Sequence, residues 1–212
     1  MDVITRLKMI DEGYVKYHCE WLDSPSVTFE QIEELNQWRH KLFQLGLIGQ
    51  YDNGIGFGNV SIRCLDQEHQ FIISGTKTGG IPELNEQHYT RVIDYDWEKN
   101  WLICRGSIQA SSEALTHAAV YTANPHINAV IHVHHLKLWQ TLMDKVPTTA
   151  KDIAYGTPEM AQEIIRLCQL GNLKEAKILV MSGHWEGVMA FGCNLTEAGN
   201  LLLEYYQQCQ LF

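Results

Sequence analysis

The stretch Ala129-Val130-Ile131-His132-Val133-His134 constrains this chain more than any other. It is apolar and rich in β-branched residues, and it reads as a strand. Side chains alternate along a strand. His132 and His134 therefore point to one face, about 6.6 Å apart along the backbone. His135 falls on the opposite face. Two imidazoles at that spacing can converge on one metal ion, about 2.0–2.1 Å from each nitrogen.

Further short strands surround this one. Residues 60–64 and 70–74 alternate or run apolar, and residues 92–95 and 101–104 read as a hairpin across residues 96–100. Residues 178–181 and 188–191 are short strands on either side of Ser182-Gly183-His184-Trp185-Glu186-Gly187. Helical patterns lie between them. Thr28 stands three residues before Gln31, the spacing of a capping box, and opens a helix that Gly46 closes. Residues 111–123 have helical composition. Thr157 and Pro158 start a helix reaching residue 170. Residues 196–208 form the last. The aromatic-rich residues 12–22 read as a helix broken by Ser24-Pro25-Ser26. The expected fold class is α/β with a largely antiparallel sheet, organised as an N-terminal helical extension over 1–27 and one domain over 28–212.

With 16 basic and 25 acidic side chains the net charge is −9, a poor match for nucleic acid or an anionic membrane surface. An anionic ligand would need a local cationic or metal site. No apolar run approaches the roughly 20 residues of a membrane-crossing helix. No cationic start followed by an apolar stretch marks a signal peptide. The six scattered cysteines contain no Cys-x-x-Cys pair, so reduced thiols and a cytoplasmic location are expected.

A metal held by His132 and His134 needs another protein ligand, and His184 is the best placed. Glu186, in the same turn, could ligate instead or orient a ligand from behind. Three histidines with one position left open would make a catalytic site, and four closed ligands a structural one. Ser111-Ser112-Glu113 precede His117 on a helix. The serines can cap that helix, and a helix start with two hydroxyls also receives phosphate. Glu113 would then sit beside phosphate and metal, placed for proton transfer. His117, one turn on, could orient Glu113 or simply pack. Gly58-Asn59-Val60-Ser61 and Ser74-Gly75-Thr76-Lys77-Thr78-Gly79-Gly80 supply glycines, hydroxyls and free amides of the kind that bind phosphate oxygens. Lys77 adds a positive charge, and no nucleotide-type Gly-x-x-x-x-Gly-Lys-[Ser/Thr] loop is present.

Taken in order, these motifs, ending in His184 and Gly187-Val188-Met189-Ala190-Phe191-Gly192, resemble the class II aldolase/adducin family over residues 30–208. The resemblance implies a three-layer α/β/α sandwich with a mainly antiparallel central sheet, assembled as a homotetramer with sites at subunit interfaces. It implies Zn2+, or another divalent metal such as Mn2+ or Fe2+, on His132, His134 and His184. It implies Glu113 as the acid/base and Asn59, Thr78, Gly79, Ser111 and Ser112 as phosphate binders. The activity implied is a metal-dependent lyase, an aldolase acting on a sugar phosphate or related ketose through a metal-stabilised enediolate. The alternatives are a metal-dependent 4-epimerase or dehydratase of a sugar phosphate, and a non-catalytic adducin-like interaction domain.

The sequence departs from the family pattern in places. The family's third histidine directly precedes glycine, whereas two residues separate His184 from Gly187. The stretch after Leu142 lacks the segment carrying the aldolases' protonating tyrosine, and Tyr155 does not match that motif. The N-terminal extension has no family counterpart.

Overall fold

The computed structural model describes residues 14–25, 27–67 and 69–211. Strand β1 (His18–Leu22) is followed by helix α1 (Phe29–Gln44). Next come two-residue strands β2 (Gly49–Gln50) and β3 (Gly56–Phe57), then β4 (Asn59–Arg63) and β5 (Phe71–Ser74). Strands β6 (Tyr89–Asp96) and β7 (Trp101–Arg105) lead into α2 (Ala114–Ala123), β8 (Ala129–His134) and α3 (Leu136–Leu142). Helices α4 (Pro158–Gln169) and α5 (Asn172–Ala176) precede β9 (Ile178–Val180), β10 (Gly187–Gly192) and α6 (Leu195–Gln210).

Among the described residues, eight strands form one sheet in the order β1-β7-β6-β5-β4-β8-β10-β9. The sheet is mixed. Every pairing is antiparallel except the edge pair β1–β7, which is parallel. The sheet is thus largely antiparallel, as expected, with one parallel edge pair. That pair corrects one expectation: the extension is not helical over His18–Leu22. Tyr17, Cys19 and Trp21 have the β-favouring character and alternation of an edge strand, and β7 offers an open edge of backbone groups that outbids a lone helical turn. The Trp21 indole nitrogen donates to the Gly106 carbonyl at 2.8 Å, fixing the register. The part of the expected extension before residue 14 lies outside the described residues.

Strand periodicity divides the interior in two. Val130, Met189, Phe191 and Leu179 pack with residues of α2 and α4. Ala129, Ile131, Val133, Val188, Ala190, Ile178 and Val180 pack with residues of α1, α3 and α6. Ile131 is fully buried, and truncating such a side chain to alanine typically costs about 2–5 kcal/mol. His132 and His134 share parity with Val130, so they face the side covered by α2. Strand β8 is central at this point: His132 pairs with Asn59 on β4 and with Met189 on β10, and His134 pairs with Gly187.

Helix starts follow the sequence closely. The Thr28 amide donates to Gln31 Oε1 at 3.1 Å. Thr157 Oγ1 accepts from the Met160 amide with Pro158 in the first turn. Helix α2 differs. It begins at Ala114, with Glu113 in the capping position but its side chain making no cap. The serines lie in the preceding turn, where Ser111 Oγ accepts from the Glu113 amide at 3.4 Å.

Candidate metal centre

The end of β8 and the turn between β9 and β10 bring three imidazoles together. Ring centroids of His132, His134 and His184 are 4.9, 5.0 and 4.6 Å apart. One nitrogen from each lies within 4.8 Å of the other two, and all three residues are buried. His132 Nε2 is buried with no hydrogen-bond partner among the described residues. Burial, followed by the proximity of His134, His184 and His117, pushes the pKa of His132 well below the usual histidine range. Its ring is thus a neutral lone-pair donor near pH 7, which a divalent cation requires. An inward-facing donor of this kind fits a nitrogen-ligated metal.

The turn that carries His184 is held from several sides. The His184 amide donates to the Met181 carbonyl, and the Gly187 amide donates back to His184 O, both at 3.0 Å. Trp139 and Trp185 pack at 5.4 Å, and the Trp139 indole donates to the Met181 carbonyl. The Tyr155 ring stacks on His184 at 4.6 Å, 23° from parallel. Lys16 Nζ sits over the Tyr155 ring, 3.8 Å from its centroid.

The sequence offers both His184 and Glu186 as a third ligand. The His184 ring joins the cluster, while Glu186 turns elsewhere: Tyr51 Oη donates to Glu186 Oε2 at 3.0 Å and lies 2.9 Å from His134 Nδ1. His135 takes no part. Its Nδ1 accepts from the Leu138 amide at the start of α3.

Glu113 Oε1 lies 3.5 Å from His184 Nδ1. His117 does not orient Glu113; it packs. Its Nδ1 is 2.7 Å from Ser61 Oγ, which is also 2.7 Å from Tyr121 Oη, and burial holds its pKa at about 3.

Asn59, Thr78, Gly79, Ser111 and Ser112 all line a single cavity of about 630 Å3, whose wall includes Glu113, His132 and the exposed Lys77. The Asn59 amide lies 3.4 Å from His132 Nδ1. Thr78 donates its hydroxyl to the Gly75 carbonyl at 2.9 Å. Gly79 has no room for a side chain, since a β-carbon there would run into the Gly49 carbonyl oxygen and the Phe57 nitrogen. Tyr14 also lines the cavity, and the Tyr17 hydroxyl donates toward the Ala110 and Ser111 carbonyls at 3.0 and 2.9 Å. Tyr17, just ahead of β1, thus braces the turn ahead of Glu113.

Arg39, Tyr51 and Tyr155 were not singled out as site residues by the sequence. Arg39 is buried and donates to the carbonyls of Pro82, Thr78 and Gly79 at 2.9–3.0 Å, pinning the glycine-rich loop. Its signal was present: it occupies the apolar face of α1, seven residues after Ile32, where a guanidinium must find acceptors. Tyr51 and Tyr155 sit in loops and carry no such pattern.

Residues 39–212 match the model of the class II aldolase and adducin N-terminal domain. A 3-oxo-tetronate 4-phosphate decarboxylase of Haemophilus influenzae is 28% identical over 177 residues, covering 74% of this chain and 77% of that protein. A sugar-phosphate aldolase from Thermotoga maritima superposes with a TM-score of 0.66 at 17% identity, over 86% of this chain and 93% of that one. An L-fuculose-1-phosphate aldolase from Thermus thermophilus gives 0.60 at 22% identity, over 83% and 89%. The structural likenesses carry the fold.

Proposed function

This chain belongs to the family of class II aldolase and adducin N-terminal domains, and from that premise we propose that it is a divalent-metal-dependent lyase acting on a sugar phosphate or related ketose. The observation that carries the reading is the convergence of three buried histidines beside a buried carboxylate at the edge of a cavity. His132, His134 and His184 are the residues to hold the ion. Zinc suits them, as do manganese and iron, since imidazole accepts all three. When bound, such an ion supplies Lewis-acid polarisation of a substrate carbonyl.

The rest falls to the chain. Glu113, fixed beside His184 at the start of α2, takes and returns the proton at the reacting carbon or its hydroxyl. The turn Ser111-Ser112 and the loop at Thr78-Gly79 offer hydroxyls and amides to a phosphate, with Asn59 on the same cavity wall beside His132. Lys77 supplies the cation that an acidic chain needs to attract such a group. We read the helices on both faces of the sheet as the outer layers of the expected α/β/α sandwich, residues 28–212 as the domain, and a tetramer as its assembly.

A second reading is decarboxylation of a keto-acid phosphate, favoured by the Haemophilus influenzae relative. Both reactions break a carbon–carbon bond next to a carbonyl that must accept an electron pair. They differ in the group lost. Elemental analysis of the purified protein, followed by a screen of ketose phosphates and keto-acid phosphates for aldehyde and for carbon dioxide release, separates them. An epimerised or dehydrated product would replace the lyase reading with its alternatives. Absence of stoichiometric metal would favour the interaction-domain alternative.

A further inference from the structure

We propose that Tyr51 and Glu186 are positioning residues for the metal centre, forming a relay in which His134 Nδ1–H donates to Tyr51 Oη and Tyr51 donates to Glu186, so that His134 presents Nε2 as its lone pair. The inference rests on the reading of the three histidines as metal ligands.

Proton count decides the direction of these contacts. A tyrosine hydroxyl has one hydrogen to give. It lies 3.0 Å from a Glu186 carboxylate oxygen, which can only accept, and 2.9 Å from His134 Nδ1. With the hydroxyl hydrogen directed to the carboxylate, the contact to His134 is satisfied when the imidazole donates through Nδ1. The neutral ring then carries its lone pair on Nε2. Histidine ligands are commonly set in this way by an acceptor behind the ring, and removing that acceptor typically costs 10–100-fold in metal affinity.

A second observation concerns the backbone. Glu186 has φ +63°, a conformation that residues with a β-carbon adopt at some cost and glycine adopts freely. The turn itself would be served by glycine, so it is the side chain that accounts for glutamate here. The relay is also partly dry. His134 is buried, Tyr51 is half-buried and packs on Phe57 at 4.5 Å, and Glu186 reaches a second cavity of about 600 Å3 that Tyr51 and His134 also border. The carboxylate thus keeps contact with solvent while acting on a buried ligand.

The experiment is a chelator-competition titration of Zn2+ into metal-stripped wild-type protein, Tyr51→Phe, Glu186→Gly and the double variant. Tyr51→Phe retains the ring that packs on Phe57. Glu186→Gly relieves the backbone, so its thermal stability should hold or rise even as its affinity falls. Each single variant should lose about 10–100-fold in affinity, and the double variant should lose little beyond the worse single, because the two act in series. In 15N spectra of the metal-free protein, His134 should shift from the Nδ1–H tautomer to a mixture in Tyr51→Phe. Wild-type protein that binds one Zn2+ tightly, with both variants unchanged, overturns the relay and leaves the metal centre standing. Losses that multiply in the double variant also overturn it. Wild-type protein that binds no stoichiometric Zn2+ overturns the metal reading and the relay together.

Discussion

His184 Nδ1 and Glu113 Oε1 lie 3.5 Å apart, and both side chains are almost fully buried. One comes from a turn between two strands and the other from the start of a helix, so the sheet and α2 must dock correctly for the pair to meet. Replacing Glu113 by Gln preserves shape and removes the base. Turnover should fall by about 10²–10⁴-fold, while elemental analysis still finds one metal per chain. Unchanged turnover would take Glu113 out of the proton transfer.

Arg39 satisfies three carbonyls behind the glycine-rich loop. In Arg39→Met those acceptors are left buried, at about 1–3 kcal/mol for each that finds no water. The variant should unfold at lower urea concentration by several kcal/mol in total. Its KM should rise more than its kcat falls, because the loop loosens while the histidines stay in place. A selective loss of kcat would assign Arg39 to the chemistry instead.

Lys77 is exposed on the cavity wall, so its charge is screened and contributes about 1 kcal/mol. Lys77→Gln should raise KM about 5-fold for a phosphorylated substrate and leave KM for its unphosphorylated analogue unchanged. Equal effects on both would show that the lysine does not read the phosphate.

His117 gives a pH dependence of known sign. Its folded pKa, about 3, lies below the ordinary value of 6.5. Between those values the unfolded chain binds one more proton, so stability rises with pH across the window and is complete above it. The contribution from this residue is up to about 1.4 kcal/mol per pH unit. Urea unfolding at pH 4.5 and 7.0 should show a smaller difference for His117→Asn than for wild type. An equal difference would mean that His117 is protonated in the fold.

The strand bearing His132 and His134 was legible because alternation dictates which side chains share a face, and its bounds came out as Ala129–His134. Helix α4 was legible through Thr157 and Pro158. The start of α2 was less so. Serine favours the cap by local propensity, yet the observed cap position belongs to Glu113, whose side chain is drawn to His184 instead. Strand β1 was misread because aromatic density alone does not separate helix from strand when the deciding partner, β7, lies some eighty residues away. Tyr51 and Tyr155 escaped for a related reason: each acquires its role from a histidine distant in sequence, and nothing local marks it.

The Tyr17 hydroxyl ties the residue just ahead of β1 to the Ala110 and Ser111 carbonyls. Replacing Tyr17 by Phe, which removes this hydroxyl alone, would slacken the scaffold under the carboxylate without touching any metal ligand. Such a variant would load metal normally and still turn over slowly, a pattern easily mistaken for a wrong substrate.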